Sequence, residues 1–166
     1  LRSLHMNATI HQHAGNGLAH STAYEIAFFL ALLTTALALG AAVAHALELP
    51  NKIGLPRDEY FIVQKAYLGW NRLVYLLAIE LVSMVAVAAM SRHEPYVLWP
   101  VVLSIACLLC AQALFWIYTY PANAATESWT VIPDNWHALR SQWGYSHAAG
   151  AALQILAMSA LIVAAL

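Results

Sequence analysis

The chain has 166 residues, 62% of them hydrophobic and only 9% charged, with a formal net charge of −1. A soluble domain carries about a quarter charged residues, and a buried core cannot absorb this deficit, because a small domain must still cover itself with polar surface. With a net charge near zero nothing points to nucleic acid, and a single domain built for a lipid bilayer is expected.

In chain order, residues 1–22 are polar and rich in His, Asn and Gly, and read as a flexible N-terminal segment. They hold His5, His11, His13 and His20, with His11-Gln12-His13 the best candidate for adventitious metal binding. The first hydrophobic run follows, and it is too long for a signal-peptide core. Residues 23–166 form the domain, with spans predicted at about 24–46, 68–90, 96–120 and 144–166. Each is close to the ~20 residues that cross ~30 Å of hydrocarbon. Lipid offers no partners to bare backbone groups, so each is expected to be helical. The connections are a Pro- and Gly-containing loop from Pro50 to Pro56, an amphipathic piece through Tyr60 and Gln64, a tight turn Ser91-Arg92-His93-Glu94-Pro95, and a loop of roughly 25 residues before the fourth span. The predicted fold is all-α, an integral membrane antiparallel four-helix bundle. Gly40, Ala41, Ala42 and Ala44 in the first span and Gly150, Ala151 and Ala152 in the fourth are expected to permit close helix approach.

Four spans place both termini and the 91–95 turn on one membrane side, here the first side. The loops around 47–67 and 121–143 lie on the second. Lys52, Arg57, Lys65, Arg72 and Arg140 belong to the second side against Arg2 and Arg92 on the first. The positive-inside rule then puts the second side in the cytoplasm, and the expected location is a bacterial inner membrane, multi-pass.

Polar residues recur at helical spacing toward the second side. Thr34, Ala41, His45, Glu48 and Lys52 share a face of the first span; Gln112, Trp116, Thr119 and Asn123 share one on the third; Trp136, Arg140, Trp143, His147, Gly150 and Gln154 share one on the fourth. Such faces are costly against lipid and are expected to turn inward and form a pocket. An interfacial belt of aromatic and snorkelling side chains is the plainer alternative, and it explains Trp70, Trp99 and Tyr120. Glu80, near the middle of the second span, is expected to be neutral or paired, with Gln112 or a Thr as partner.

Cofactor chemistry is thinly supported. Cys107 and Cys110 form a C-x-x-C inside a hydrophobic run and read as packing residues rather than a redox or metal motif. His45 and Glu48 make a reversed version of the Glu-x-x-His step of di-iron bundles, without the further carboxylates such a site needs. Haem is an alternative, with His45 and His147 as facing axial ligands. No motif supports a Ser-His-Asp hydrolase, and no cofactor is predicted.

The stretch from Phe115 to Ala149 holds Pro121-Ala122-Asn123 as a turn after the third span, Trp129, a Pro133-to-Trp136 segment, and Leu139-Arg140-x-x-Trp143 running to His147. Together with His45-x-x-Glu48-x-Pro50-x-Lys52, it resembles the small four-span membrane family of unknown function that includes the anthrone oxygenases. Gly144 departs from the acidic residue that many relatives carry before the position of Tyr145. The resemblance implies a cofactor-independent oxygenase that inserts oxygen into an activated aromatic carbon without a metal or flavin. Such chemistry needs a base, and a neutral histidine suits it near pH 7. His147 is the preferred base and His45 the second choice, with Arg140 or Asn123 stabilising an oxyanion. Trp116, Trp129, Trp136 and Trp143 would line a slot for a lipophilic aromatic or quinone-like molecule, with Glu48 and Lys52 orienting it. A non-catalytic accessory or structural subunit of a larger membrane complex is the second expectation, a haem-bearing electron carrier the third. The expected partners are the lipid bilayer and a lipophilic small molecule, with a homo-oligomer or larger complex left open.

Overall fold

The structure is a computed structural model and describes residues 21–166; the His-rich segment expected to be flexible lies outside those residues. The described residues are helical, without strands. They form α1 (Thr22–Lys52), α2 (Arg57–Gln64), α3 (Leu73–Met90), α4 (Pro95–Leu114), α5 (Tyr120–Ala125) and α6 (Trp136–Ala165). Ser21 caps α1, its side chain accepting from the Tyr24 amide, as expected of a serine at a helix start. Two short 3₁₀ turns, Lys65–Tyr67 and Trp70–Arg72, lead from α2 into α3. A π-type turn, Phe115–Thr119, joins α4 to α5.

Four helical stretches are long and apolar enough to cross a membrane: Thr22–Lys52, Arg57–Met90, Pro95–Ala125 and Trp136–Ala165. They form the expected antiparallel four-helix bundle, in which α1 packs on α3 and α6, and α4 packs on α3 and α6. Their ends extend past the predicted limits. α1 runs through Pro50 to Lys52, although Pro50 removes one amide donor from its last turns. Pro121-Ala122-Asn123, expected as a turn, lies within helical α5, directly after the π-type turn Phe115–Thr119.

The first-side half of the interior is an apolar plug. Ala31, Met84, Val87, Val101, Leu108 and Leu161 are buried there, contributed by all four spanning helices. Its polar contact between helices is self-contained: Ser104 of α4 donates to the Ala157 carbonyl of α6 at 2.9 Å. The expected close approach at Gly40 and Gly150 does not occur, since open space faces both. It occurs at Gly144 instead, where an added Cβ would stand 2.7 Å from the Leu49 side chain. Position 144 is therefore a helix contact between α6 and α1, close to the histidines.

Candidate functional site

The second-side half of the bundle is built differently. His45, Glu48 and Lys52 succeed one another along the last turns of α1 by steps of three and four, which stacks them on one face. Lys52 is only 5% exposed. Its ammonium donates to Glu48 Oε2 at 3.1 Å, Gln64 Oε1 at 3.3 Å and the Tyr67 hydroxyl at 2.6 Å. An ammonium has three donors, so this cation is fully satisfied by three elements. The Tyr67 hydroxyl donates in turn to the same Glu48 oxygen, and Lys52 Nζ stands 4.3 Å from the Tyr67 ring centre and 4.6 Å from that of Trp143. Glu48 is the water-facing member of this network, its side chain 45% exposed against 6% for Lys52, so the pair contributes less than the about 3–5 kcal/mol that breaking a fully buried one costs.

One to two turns deeper, His45 from α1 meets His147 from α6, ring centres 4.3 Å apart at 61°. Trp143 lies 5.1 Å from His45 and 4.0 Å from His147. Tyr67 at 4.6 Å and Trp70 at 5.2 Å cover His45 from the 3₁₀ segment. His147 Nδ1 lies 2.9 Å from the Trp143 carbonyl. A carbonyl only accepts, so Nδ1 carries the proton and Nε2 keeps the lone pair of the neutral ring. His45 Nδ1 is buried and has no hydrogen-bond partner among the described residues. Two imidazoles thus share an aromatic cage beside a paired cation.

The remaining predicted residues fall into other roles. Trp129 and Trp136 join Tyr60 and Phe61 in a separate packed cluster, with Trp143 the link between the two. Arg140 donates to the Leu55 carbonyl at 2.8 Å and lies over the Trp136 ring at 4.8 Å, so it clamps the α1–α2 loop to α6 and does not face an oxyanion site. Asn123 Oδ1 accepts from Trp129 Nε1 at 3.0 Å, which ties its carbonyl oxygen to that ring. Trp116 is 59% exposed on the outer surface. Its predicted alignment with Thr119 and Asn123 assumed an α-helical period, and the π-type turn over Phe115–Thr119 rotates it out of register. Thr119 does turn inward, within 2.7 Å of the Ser146 hydroxyl. The slot expected between Trp116, Trp129, Trp136 and Trp143 is accordingly not formed. The open clefts at Pro56–Glu59 with Trp136, and between α1 and α3 near Ile26 and Val82, include neither histidine.

Tyr67 and Trp70 are the site residues that sequence periodicity missed. They sit on 3₁₀ turns separated by Gly69, whose φ of +88° only glycine adopts readily, and such a segment has no period to read. A second irregular segment supports Trp129: Glu127, Ser128 and Trp129 all have positive φ, an arrangement L-residues resist. It is held by the Ser128 amide on the Asn123 carbonyl at 2.7 Å and the Trp129 amide on the Thr126 hydroxyl at 3.1 Å.

Among the described residues, no three of His, Cys, Asp and Glu come together. Cys107 is buried and Cys110 exposed, both free. The two histidine rings touch each other, so the haem arrangement, in which a porphyrin separates facing axial ligands, does not fit this packing. No family model, curated protein or solved structure matches the chain.

Proposed function

We propose that this chain is a membrane-embedded, anthrone-oxygenase-like oxidoreductase acting on a lipophilic planar aromatic or quinone-like molecule at the His45–His147 pair. The observation that carries the reading is the tautomer Trp143 imposes on His147. With Nδ1–H committed to a carbonyl, Nε2 is a fixed acceptor inside an aromatic cage, which is what abstraction of a proton from an activated aromatic carbon requires. The resulting delocalised carbanion passes electrons to O₂; overall a CH₂ becomes a carbonyl, and the second oxygen atom leaves as water. Lys52, whose three donors are already taken by Glu48, Gln64 and Tyr67, adds only its positive charge, beside Trp143. Trp70 is 38% exposed and lies over His45. A planar substrate enters by exchanging its ring for that of Trp70. A bacterial inner-membrane location with the second side in the cytoplasm belongs to the same proposal.

The test is oxygen uptake by the purified protein with an anthrone-type tricyclic ketone. His147→Gln is expected to lower turnover about 10²–10⁴-fold with an unchanged helical circular-dichroism spectrum, while Trp70→Ala changes KM. Full turnover in the His147→Gln protein would remove His147 as the base. The dense packing of the nest favours the accessory-subunit reading as the runner-up. Failure of the wild type to bind any planar aromatic, together with a stoichiometric membrane partner, would support it.

A further inference from the structure

The connection from α2 to α3 carries a second-side surface of which the histidine nest uses only Tyr67 and Trp70. One face of α2 is fixed: Tyr60, Phe61 and Gln64 are buried, the two rings packing on Trp129 and Trp136. The opposite side is apolar as well. Ile62 is 65% exposed and Leu68, past the helix end, 57% exposed, with Val63 and Trp70 also open. Adjoining apolar side chains are unfavourable in water. The same exposure continues at Val74 and Tyr75, in the first turn of α3, so this side prolongs the lipid-facing surface of the span.

Set among these residues are two exposed cations, Lys65 and Arg72, on either side of the Gly69 turn. Neither has an ion pair or a side-chain hydrogen bond among the described residues. The other second-side cations are engaged: Lys52 by Glu48, Gln64 and Tyr67, Arg57 by Asp58 at 2.8 Å, and Arg140 by the Leu55 carbonyl. Asp58 and Glu59 stand in the first turn of α2, roughly 10 Å along the chain's helical rise from Lys65. Basic side chains beside exposed aliphatic and aromatic ones are the composition of a segment seated at headgroup level. A lysine there is a point charge for phosphate, and an arginine a fork that matches it. A zwitterionic headgroup brings its own cation, whereas a net-negative one balances Lys65 and Arg72. We propose that the Ile62–Arg72 segment is a docking surface for an anionic phospholipid of the second-side leaflet. The lipid phosphate pairs with Lys65 or Arg72, and the acyl chains lie along Leu68, Val74 and Tyr75. This holds whether or not the histidine pair is catalytic.

The experiment is native mass spectrometry of the full chain in detergent, titrated with dioleoylphosphatidylglycerol or dioleoylphosphatidylcholine. Each cation near the headgroups is worth about fivefold in affinity, so the wild type is expected to bind phosphatidylglycerol roughly 30-fold more tightly than phosphatidylcholine. Lys65→Gln and Arg72→Gln should each remove about fivefold of that preference, and together abolish it. Arg57→Gln, which removes a cation already paired with Asp58, should retain it. Equal affinity of the wild type for both lipids, or a loss in Arg57→Gln as large as in Lys65→Gln, would overturn the proposal. In parallel, a photo-crosslinking amino acid in place of Ile62 should give phospholipid adducts in native membranes. Adducts with another protein chain in their stead would assign the surface to a protein partner and overturn it as well.

Discussion

The two halves of the bundle are made from the same four helices and solve opposite problems. On the first side, Met84, Val87, Leu108 and Leu161 fill the interior with apolar side chains, and the lateral polar contact is satisfied on the spot by a backbone carbonyl. On the second, two histidines and a lysine occupy the same kind of interior, held by tyrosine, glutamine and tryptophan, with Glu48 at its half-exposed rim. Buried charge networks are a weak source of stability, since apolar replacements often serve as well or better. The plug shows that this sequence can close a bundle end without buried charges. Closing the bundle does not by itself call for the nest.

The division is broken most directly from the stable side. Met84→Ala in the plug should cost about 2–5 kcal/mol, measured by thermal unfolding in detergent, and leave binding of planar aromatics at its wild-type affinity. A loss of affinity with that substitution would mean the halves are not separate. Arg140→Ala, at the margin of the nest, should cost on the order of 1.5–3 kcal/mol through its charged hydrogen bond to the Leu55 carbonyl. Faster proteolysis of the α1–α2 loop should accompany it; an unchanged Tm and cleavage rate would show that the clamp carries no weight. Smallest is Ser128→Gly, which removes part of the cost of a left-handed residue and should stabilise by up to about 1 kcal/mol. A drop in Tm would mean the serine side chain contributes more than its backbone costs.

The sequence was a good guide wherever a period governs. The four spans follow from the length of a bilayer, and the stripes through His45 to Lys52 and Trp136 to Gln154 follow from steps of three and four on unbroken helices. Both stripes do turn inward and meet at His45 and His147. The third stripe misled because five residues of π-type turn, Phe115–Thr119, break the period in its middle and send Trp116 outward. Tyr67 and Trp70 were illegible for a related reason, since they act from 3₁₀ turns around a left-handed glycine. Of the partners expected for Glu80, Gln112 or a Thr, the threonine is there as Thr35, with Gln154 beside it. Which neighbour fills a bundle interior depends on how four helices are rotated about their axes, and no single helix records that. The contact of Arg140 with Leu55, 85 positions apart, is of the same kind.

The central claim, that the histidine pair is a binding centre and the plug a support, is tested by one NMR titration. The protein would carry ¹⁵N-labelled histidine and ¹³C-methyl methionine while an anthrone-type ligand is added. The imidazole signals of His45 and His147 should shift with saturation while the Met84 methyl signal stays in place. A Met84 shift without movement of the imidazoles, or saturating binding that leaves both histidines unmoved, would contradict the account.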